Sequence, residues 1–194
     1  MGVLLVLAGP SGVGKGTIGK RLLARDPRLA WSVSATTRPP RPAEVEGVDY
    51  HFATREEFER LRDAGGFLES FEVYGQLKGT PRAPIEARLA AGGDVLVEID
   101  VQGAMAVRRE MPEALLVFLR APSRAVQRSR LLERGADDDE QLARRLARAD
   151  AEEELAGHFD AVVVNRDLDT AVDEVAAILE ARRSAAGDLP GAAS

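Results

Sequence analysis

Nine residues near the N-terminus, Gly9 to Thr17 with the sequence GPSGVGKGT, combine three spaced glycines with a lysine. Glycines at 9, 12 and 14 let backbone N–H groups converge on phosphate oxygens with no Cβ in the way, and Lys15 can reach a terminal phosphate. The apolar run Val3–Ala8 in front and the helical spacing of Ile18, Leu22 and Leu23 behind supply the strand and helix that such a loop joins, so the helix N-terminus adds partial positive charge. The position after Lys15 departs from the usual pattern. A hydroxyl that binds magnesium is expected there, but residue 16 is glycine and threonine follows at 17. Either Thr17 supplies the hydroxyl, or phosphates, water and a carboxylate hold the ion. The candidate carboxylate is Asp100, which ends the apolar run VLVEI at the strand edge where ligands of parallel sheets gather. Asp100 also reads as the N-cap of the helix VQGAMAVRRE, and the two roles are compatible.

A second group lies in SVSATTRPPRPAEVEGVDYHF, where Ser34, Arg38, Arg41 and Tyr50 surround prolines that hold the backbone extended. Guanidinium forks and a phenol suit a second phosphate, although charge spacing alone equally fits solvated surface arginines.

These groups need a frame. Apolar runs at Val3–Ala8, Val95–Ile99, Leu115–Leu119 and Ala161–Val164 alternate with helical patterns at 14–25, 85–91, 101–111 and 125–133, which predicts a wound parallel sheet with helices on both faces. From Trp31 to Phe71 the texture changes to short alternating segments, read as a small inserted sheet, with Thr54 and Glu57 forming a capping box for the helix REEFERLRDA. Helices over 141–154 and 170–183 follow, and the last residues, SAAGDLPGAAS, read as a disordered tail.

Composition narrows the chemistry. The chain has 194 residues, a net charge of -6, no cysteine and two histidines, His51 and His158. Thiolate metal sites and cysteine nucleophiles are excluded, a metal must be held by oxygen ligands, and a whole-surface nucleic-acid or anionic-membrane binder is disfavoured. The expected location is cytoplasmic, since the longest apolar stretch near the N-terminus is too short for a signal core. Lysine occurs only at 15, 20 and 78 among 26 basic residues.

The chain resembles the guanylate kinase family from Val3 to about Glu180. The resemblance is carried, in order, by GPSGVGKGT, by SVSATTRPPRPAEVEGVDYHF, by FLESFEVYG followed by GTP, by EIDVQGA and by VVVNRDLD. It implies a P-loop kinase fold: a core over 1–31 and 85–184 containing a helical lid at about 124–150, a GMP-binding mixed sheet over 32–84, and a tail from 185 to 194. It implies further that Gly9, Pro10, Ser11, Gly12, Val13, Gly14, Lys15, Gly16 and Thr17 bind ATP with Arg130, Arg134 and Asn165, the last near the adenine. Ser34, Glu69 and Thr80 would read guanine; Arg38, Arg41 and Tyr50 would grip the phosphate of GMP or dGMP, with Asp100 between GMP and the magnesium region. Lys15, Asp100, Arg134 and Arg145 would act in catalysis, with Thr17 and Asp100 toward Mg2+.

The pocket chemistry agrees with guanine. One carboxylate such as Glu69 accepts from both N1–H and the exocyclic amine, whereas adenine would leave a buried acid unpaired. Taken singly, Glu69 reads as a surface acid. The lid arginines equally fit a basic helix face pairing with Asp137–Asp139 and Glu152–Glu154, and Arg144 and Arg148 read as bystanders. Two departures stand out: Leu77 and Lys78 occupy positions where the family usually has tyrosines, the second a phosphate contact, and Ala43 replaces a common glycine. The activity implied is transfer of the terminal phosphoryl of ATP to GMP. The rivals are a non-catalytic module of the same fold that binds protein, and a kinase for another phosphorylated acceptor.

Overall fold

The computed structural model describes residues 2–73, 75–133 and 139–187. Two sheets organise them. The larger is parallel and contains β1 (Leu4–Ala8), β2 (Leu29–Trp31), β7 (Asp94–Glu98), β8 (Leu115–Arg120) and β9 (Ala161–Val164), in the order β2-β7-β1-β8-β9. The smaller contains β3 (Ala35–Thr36), β4 (His51–Phe52), β5 (Phe67–Val73) and β6 (Gln76–Pro81), in the order β4-β3-β6-β5, with β3 parallel to β4 and the other pairs antiparallel.

Both faces of the large sheet are covered, which is why its strands are apolar without alternation. On one face Leu5, Leu7, Val117 and Leu119 pack with Ile18 and Leu22 of α1 (Lys15–Arg25) and Val172, Val175 and Leu179 of α7 (Leu168–Gly187). On the other, Leu4, Val6, Ala8 and Leu116 meet Ile85 and Leu89 of α3 (Arg82–Ala90) and Ala104 and Val107 of α4 (Val101–Glu110). β1 lies between β7 and β8, so the turns after three adjacent strands open on one edge. The small sheet has its own core of Ala35, Phe58, Phe67 and Leu77, with the Phe58 and Phe67 rings stacked 4.3 Å apart. Phe58 belongs to α2 (Arg55–Asp63), whose capping box is present as expected: the Thr54 hydroxyl accepts the Glu57 N–H, and the Glu57 carboxylate accepts the Thr54 N–H at 2.8 Å.

α5 (Arg124–Glu133) and α6 (Asp139–Glu154) lie between β8 and β9 in the chain and contact each other. Three elements differ from the sequence expectation. β2, which the apolar runs did not mark, pairs with β7 and extends the large sheet through Trp31, where the expected core segment ends. α3 begins at Arg82. α7 continues to Gly187, because Ser184-Ala185-Ala186 are small residues compatible with helix, so the expected tail is helical through 187; residues 188–194 lie outside the described residues. No helix among the described residues is long and apolar enough to cross a membrane.

Candidate active site

The loop after β1 is built as its sequence requires. Gly9, Gly12 and Gly14 all have positive φ, at 142°, 83° and 96°, a region that residues with a Cβ rarely enter. Lys15 opens α1 and its Nζ donates to the carbonyls of Gly9 at 2.6 Å and Pro10 at 3.1 Å. Two buried amides, neither marked by local spacing as a loop support, hold the outer side: Gln127 Nε2 of α5 donates to Ser11 O at 2.9 Å, and Asn165 Nδ2 donates to Val13 O at 2.8 Å. Asn165, expected near the adenine, thus sits against the loop itself. Arg130 Nη2 donates to Asn165 O at 3.2 Å.

Across the edge, β5 and β6 carry the base-reading candidates. Glu69 and Thr80 face each other in register, and the Thr80 hydroxyl donates to Glu69 Oε1 at 2.5 Å. Both are buried. Burial pushes the Glu69 carboxyl up to about 7; the charge of Asp100 adds to the rise, while the Thr80 hydrogen bond and Lys78 oppose it. Ser34 lies just before β3, its carbonyl accepting His51 N–H at 2.9 Å.

The phosphate candidates of the insert are held by one acid. Glu44 accepts both Nη atoms of Arg38, at 2.7 and 2.8 Å, and the Arg41 N–H at 2.7 Å, which holds its carboxyl down at about 2. Ala43 does not prevent this turn. Two cations lie over Tyr50: the Arg38 guanidinium carbon and Lys78 Nζ are each 5.2 Å from its ring centroid, and Lys78 Nζ is 3.5 Å from its hydroxyl. Lys78 therefore stands beside Tyr50 and Arg38, within the expected phosphate-binding group. Arg41 is exposed.

Between the two halves lies Asp100. Its Oδ1 caps α4 by accepting Gly103 N–H at 2.8 Å, and its Oδ2 accepts Arg148 Nη2 at 2.6 Å. Arg148, read from sequence as a bystander, also binds Glu152 Oε1 at 2.8 Å. Its length carries the guanidinium from α6 to the acid that caps α4, a long-range contact that helical spacing could not reveal. Arg145 is on the same helix; Arg134 lies outside the described residues. A cavity of about 590 Å³ is lined by Lys15, Arg38, Lys78, Glu98 and Asp100, and one of about 410 Å³ by Glu69, Asp100, Arg109 and Arg148. Asp100 and Phe71 line both.

Three buried side-chain polar atoms lack a hydrogen-bond partner among the described residues: Glu69 Oε2, Arg130 Nη1 and Asn165 Oδ1. All three belong to residues that the sequence assigns to nucleotide contact.

The family model for guanylate kinase matches residues 1–182. The chain belongs to the guanylate kinase family. It is 52% identical over 188 residues to a guanylate kinase of Thermus thermophilus, covering 97% of this chain and 85% of that protein. With the guanylate kinase of Rhodococcus jostii it shares 50% over 183 residues, 93% of this chain and 88% of the other. The crystal structure of guanylate kinase from Anaplasma phagocytophilum superposes with a TM-score of 0.73 at 35% identity, covering 93% of this chain and 85% of that one. The P-loop kinase fold expected from sequence is thus the fold observed, and the residues of the mixed sheet lie within the span that the family model matches.

Proposed function

We propose that the chain is an ATP-dependent guanylate kinase in which the phosphate loop holds ATP and the β3–β6 insert holds GMP or dGMP. The observation that carries the residue assignments is the set of orphaned buried atoms. An unpaired buried donor or acceptor costs about 1–3 kcal/mol, and here the deficit falls on Glu69, Arg130 and Asn165. Nucleotides supply the missing partners. Guanine N1–H and its amine would donate to the Glu69 carboxylate, with Ser34 and Thr80 completing the base-reading set. Arg38, Arg41, Tyr50 and Lys78 would take the acceptor phosphate, as the Glu44-braced group beside the 590 Å³ cavity is rich in donors.

The reaction needs no covalent enzyme intermediate. Lys15 would turn from the loop carbonyls toward the outer ATP phosphates, with Gly9–Thr17 N–H groups around them, and Arg134 and Arg145 of the lid segment 124–150 would neutralise charge on the moving phosphoryl. Asp100 would orient the acceptor side. The donors present fit a hard divalent cation, since Thr17, Glu98 and Asp100 all offer oxygen near the loop. Magnesium bound with ATP would draw off negative charge from the phosphates. Closure of the lid and insert excludes water. The same reading divides the chain into core, insert and lid and places it in the cytoplasm with small-molecule substrates only.

The test is a coupled ADP-release assay across GMP, dGMP, AMP, CMP and UMP. GMP and dGMP should be turned over, with AMP lower by several powers of ten. Silence with every acceptor supports a protein-binding module, and a different preference supports another acceptor kinase.

A further inference from the structure

Glu98 ends β7 and turns its carboxylate toward the first turn of α1. A Cβ placed on Gly16 would lie 3.2 Å from Glu98 Oε2 and 3.7 Å from Oε1. Residue 16 is where a phosphate loop carries the hydroxyl that reaches the metal ion. Here that hydroxyl is missing, and an acid occupies the adjoining space. Glu98 is half-buried and shares its cavity with Lys15. Among the described residues its carboxylate accepts no hydrogen bond and enters no ion pair. Asp100, the acid expected from sequence to face the ion, has one oxygen on the α4 cap and the other on Arg148. An unpaired carboxylate beside a polyphosphate is repulsive unless a cation lies between them.

We propose that Glu98 is this chain's own ligand to the divalent cation that accompanies the nucleotide, standing in for the hydroxyl that Gly16 lacks. This rests on the phosphoryl-transfer reading above. Oxygen donors of this kind suit Mg2+. No cluster of three ligating side chains exists among the described residues, so the other coordination positions fall to phosphate oxygens and water. Glycine at 16 and glutamate at 98 are then one device: the absence of a Cβ leaves room for the longer acid.

The test titrates Mn2+, a paramagnetic substitute for Mg2+, into the full chain with ADP and reads free Mn2+ by electron paramagnetic resonance. ADP affinity in excess chelator is measured separately, and far-ultraviolet circular dichroism checks folding. Glu98→Gln keeps the side-chain shape and should weaken Mn2+ binding about tenfold or more, with chelator-state ADP affinity not reduced. Asp100→Asn should weaken it less than Glu98→Gln. Gly16→Ser combined with Glu98→Asp returns a hydroxyl and withdraws the acid by one methylene; it should restore Mn2+ affinity to within about threefold of native, which a merely structural Glu98 would not produce. Native Mn2+ affinity in folded Glu98→Gln overturns the assignment while leaving GMP phosphorylation standing, as does an equal or larger loss in Asp100→Asn. If Glu98→Gln does not fold, the double variant decides: Mn2+ affinity reduced about tenfold or more in it overturns the exchange. A native chain that binds ADP no better with Mn2+ than without overturns both readings.

Discussion

Glu69 carries two opposed demands. Its carboxyl is pushed up to about 7 by burial, from an ordinary value of 4.5, and in its proposed base-reading role it must be ionised to accept from guanine. GMP should therefore bind less well as pH falls below 7, approaching about tenfold per unit. The phosphate of GMP also titrates near about 6, so Glu69→Gln is the control: it should bind GMP more weakly at pH 8, show a flatter pH response, and narrow the GMP-to-AMP ratio of kcat/KM. For stability the sign is opposite. Between 4.5 and 7 the unfolded chain loses the Glu69 proton before the folded one, so ligand-free stability falls as pH rises through that window, by about 3 kcal/mol in total. Ligand-free Glu69→Gln should then melt above the native chain at pH 8 and level with it near pH 4.5; equal melting at both would show the acid to be adequately compensated. Lys78 supplies the second prediction at this scale. If its ammonium takes the acceptor phosphate, Lys78→Ala should raise the KM for GMP, and Lys78→Tyr should show a shallower salt dependence than native, because a phenol carries no charge to screen. Equal affinities and parallel salt responses in all three proteins would place Lys78 off the substrate.

Among elements, α6 and α4 are joined by the Arg148–Asp100 pair. Arg148→Met breaks the tie between α6, the proposed lid helix, and Asp100 at the head of α4, and leaves Glu152, raised by burial, without its cation. The expected result is a kcat/KM for GMP lower by about five- to twentyfold, less than the full worth of a charged hydrogen bond because the Arg148 side chain is 57% exposed, with less change in the KM for ATP. Arg148→Lys should recover part only, since an ammonium lacks the fork that reaches Glu152 and Asp100 together. A value within about twofold of native would make the contact incidental. The same pair shows where sequence reading stops. The Thr54–Glu57 box and the glycines of the loop were legible because their rules act within a few residues. β2 was not, since three residues carry no period and its partner β7 lies far along the chain. Gln127 under Ser11 and Arg148 on Asp100 span 116 and 48 residues; no local spacing encodes them. The orphaned atoms fell on residues that motif order had already singled out, whereas the free carboxylate of Glu98 became visible only beside Gly16.

At the scale of the whole molecule, α7 locks the large sheet. Arg183 binds Asp94 Oδ2 at 2.5 Å and Asp26 Oδ2 at 2.6 Å, and Asp94, fully buried, also accepts Val3 N–H at 2.6 Å. One guanidinium thus ties the last helix to the starts of β1 and β7 and to the end of α1. Arg183→Met leaves the buried Asp94 with only the exposed Arg28 guanidinium, 3.9 Å away, as countercharge and should cost up to about 3–5 kcal/mol in urea unfolding, while the KM values for GMP and ATP stay within about twofold. Pairing it with Asp94→Asn should recover part of the loss. A shift in substrate saturation larger than the shift in stability would mean that the α7 contact reaches the site.

The arrangement of the insert has a consequence for how such a protein changes over generations. Apart from Asp100, the residues assigned to the acceptor occupy one uninterrupted stretch, from Ser34 before β3 to Thr80 in β6, and that stretch folds on a core of its own. The donor machinery is scattered through the turns after β1, β7, β8 and β9, each embedded in the common sheet. Recombination or drift within a single short region of the gene can therefore alter which monophosphate is accepted, leaving the sheet intact. No comparably small exchange can alter the use of the donor, and acceptor choice is the trait that this architecture leaves free to diversify.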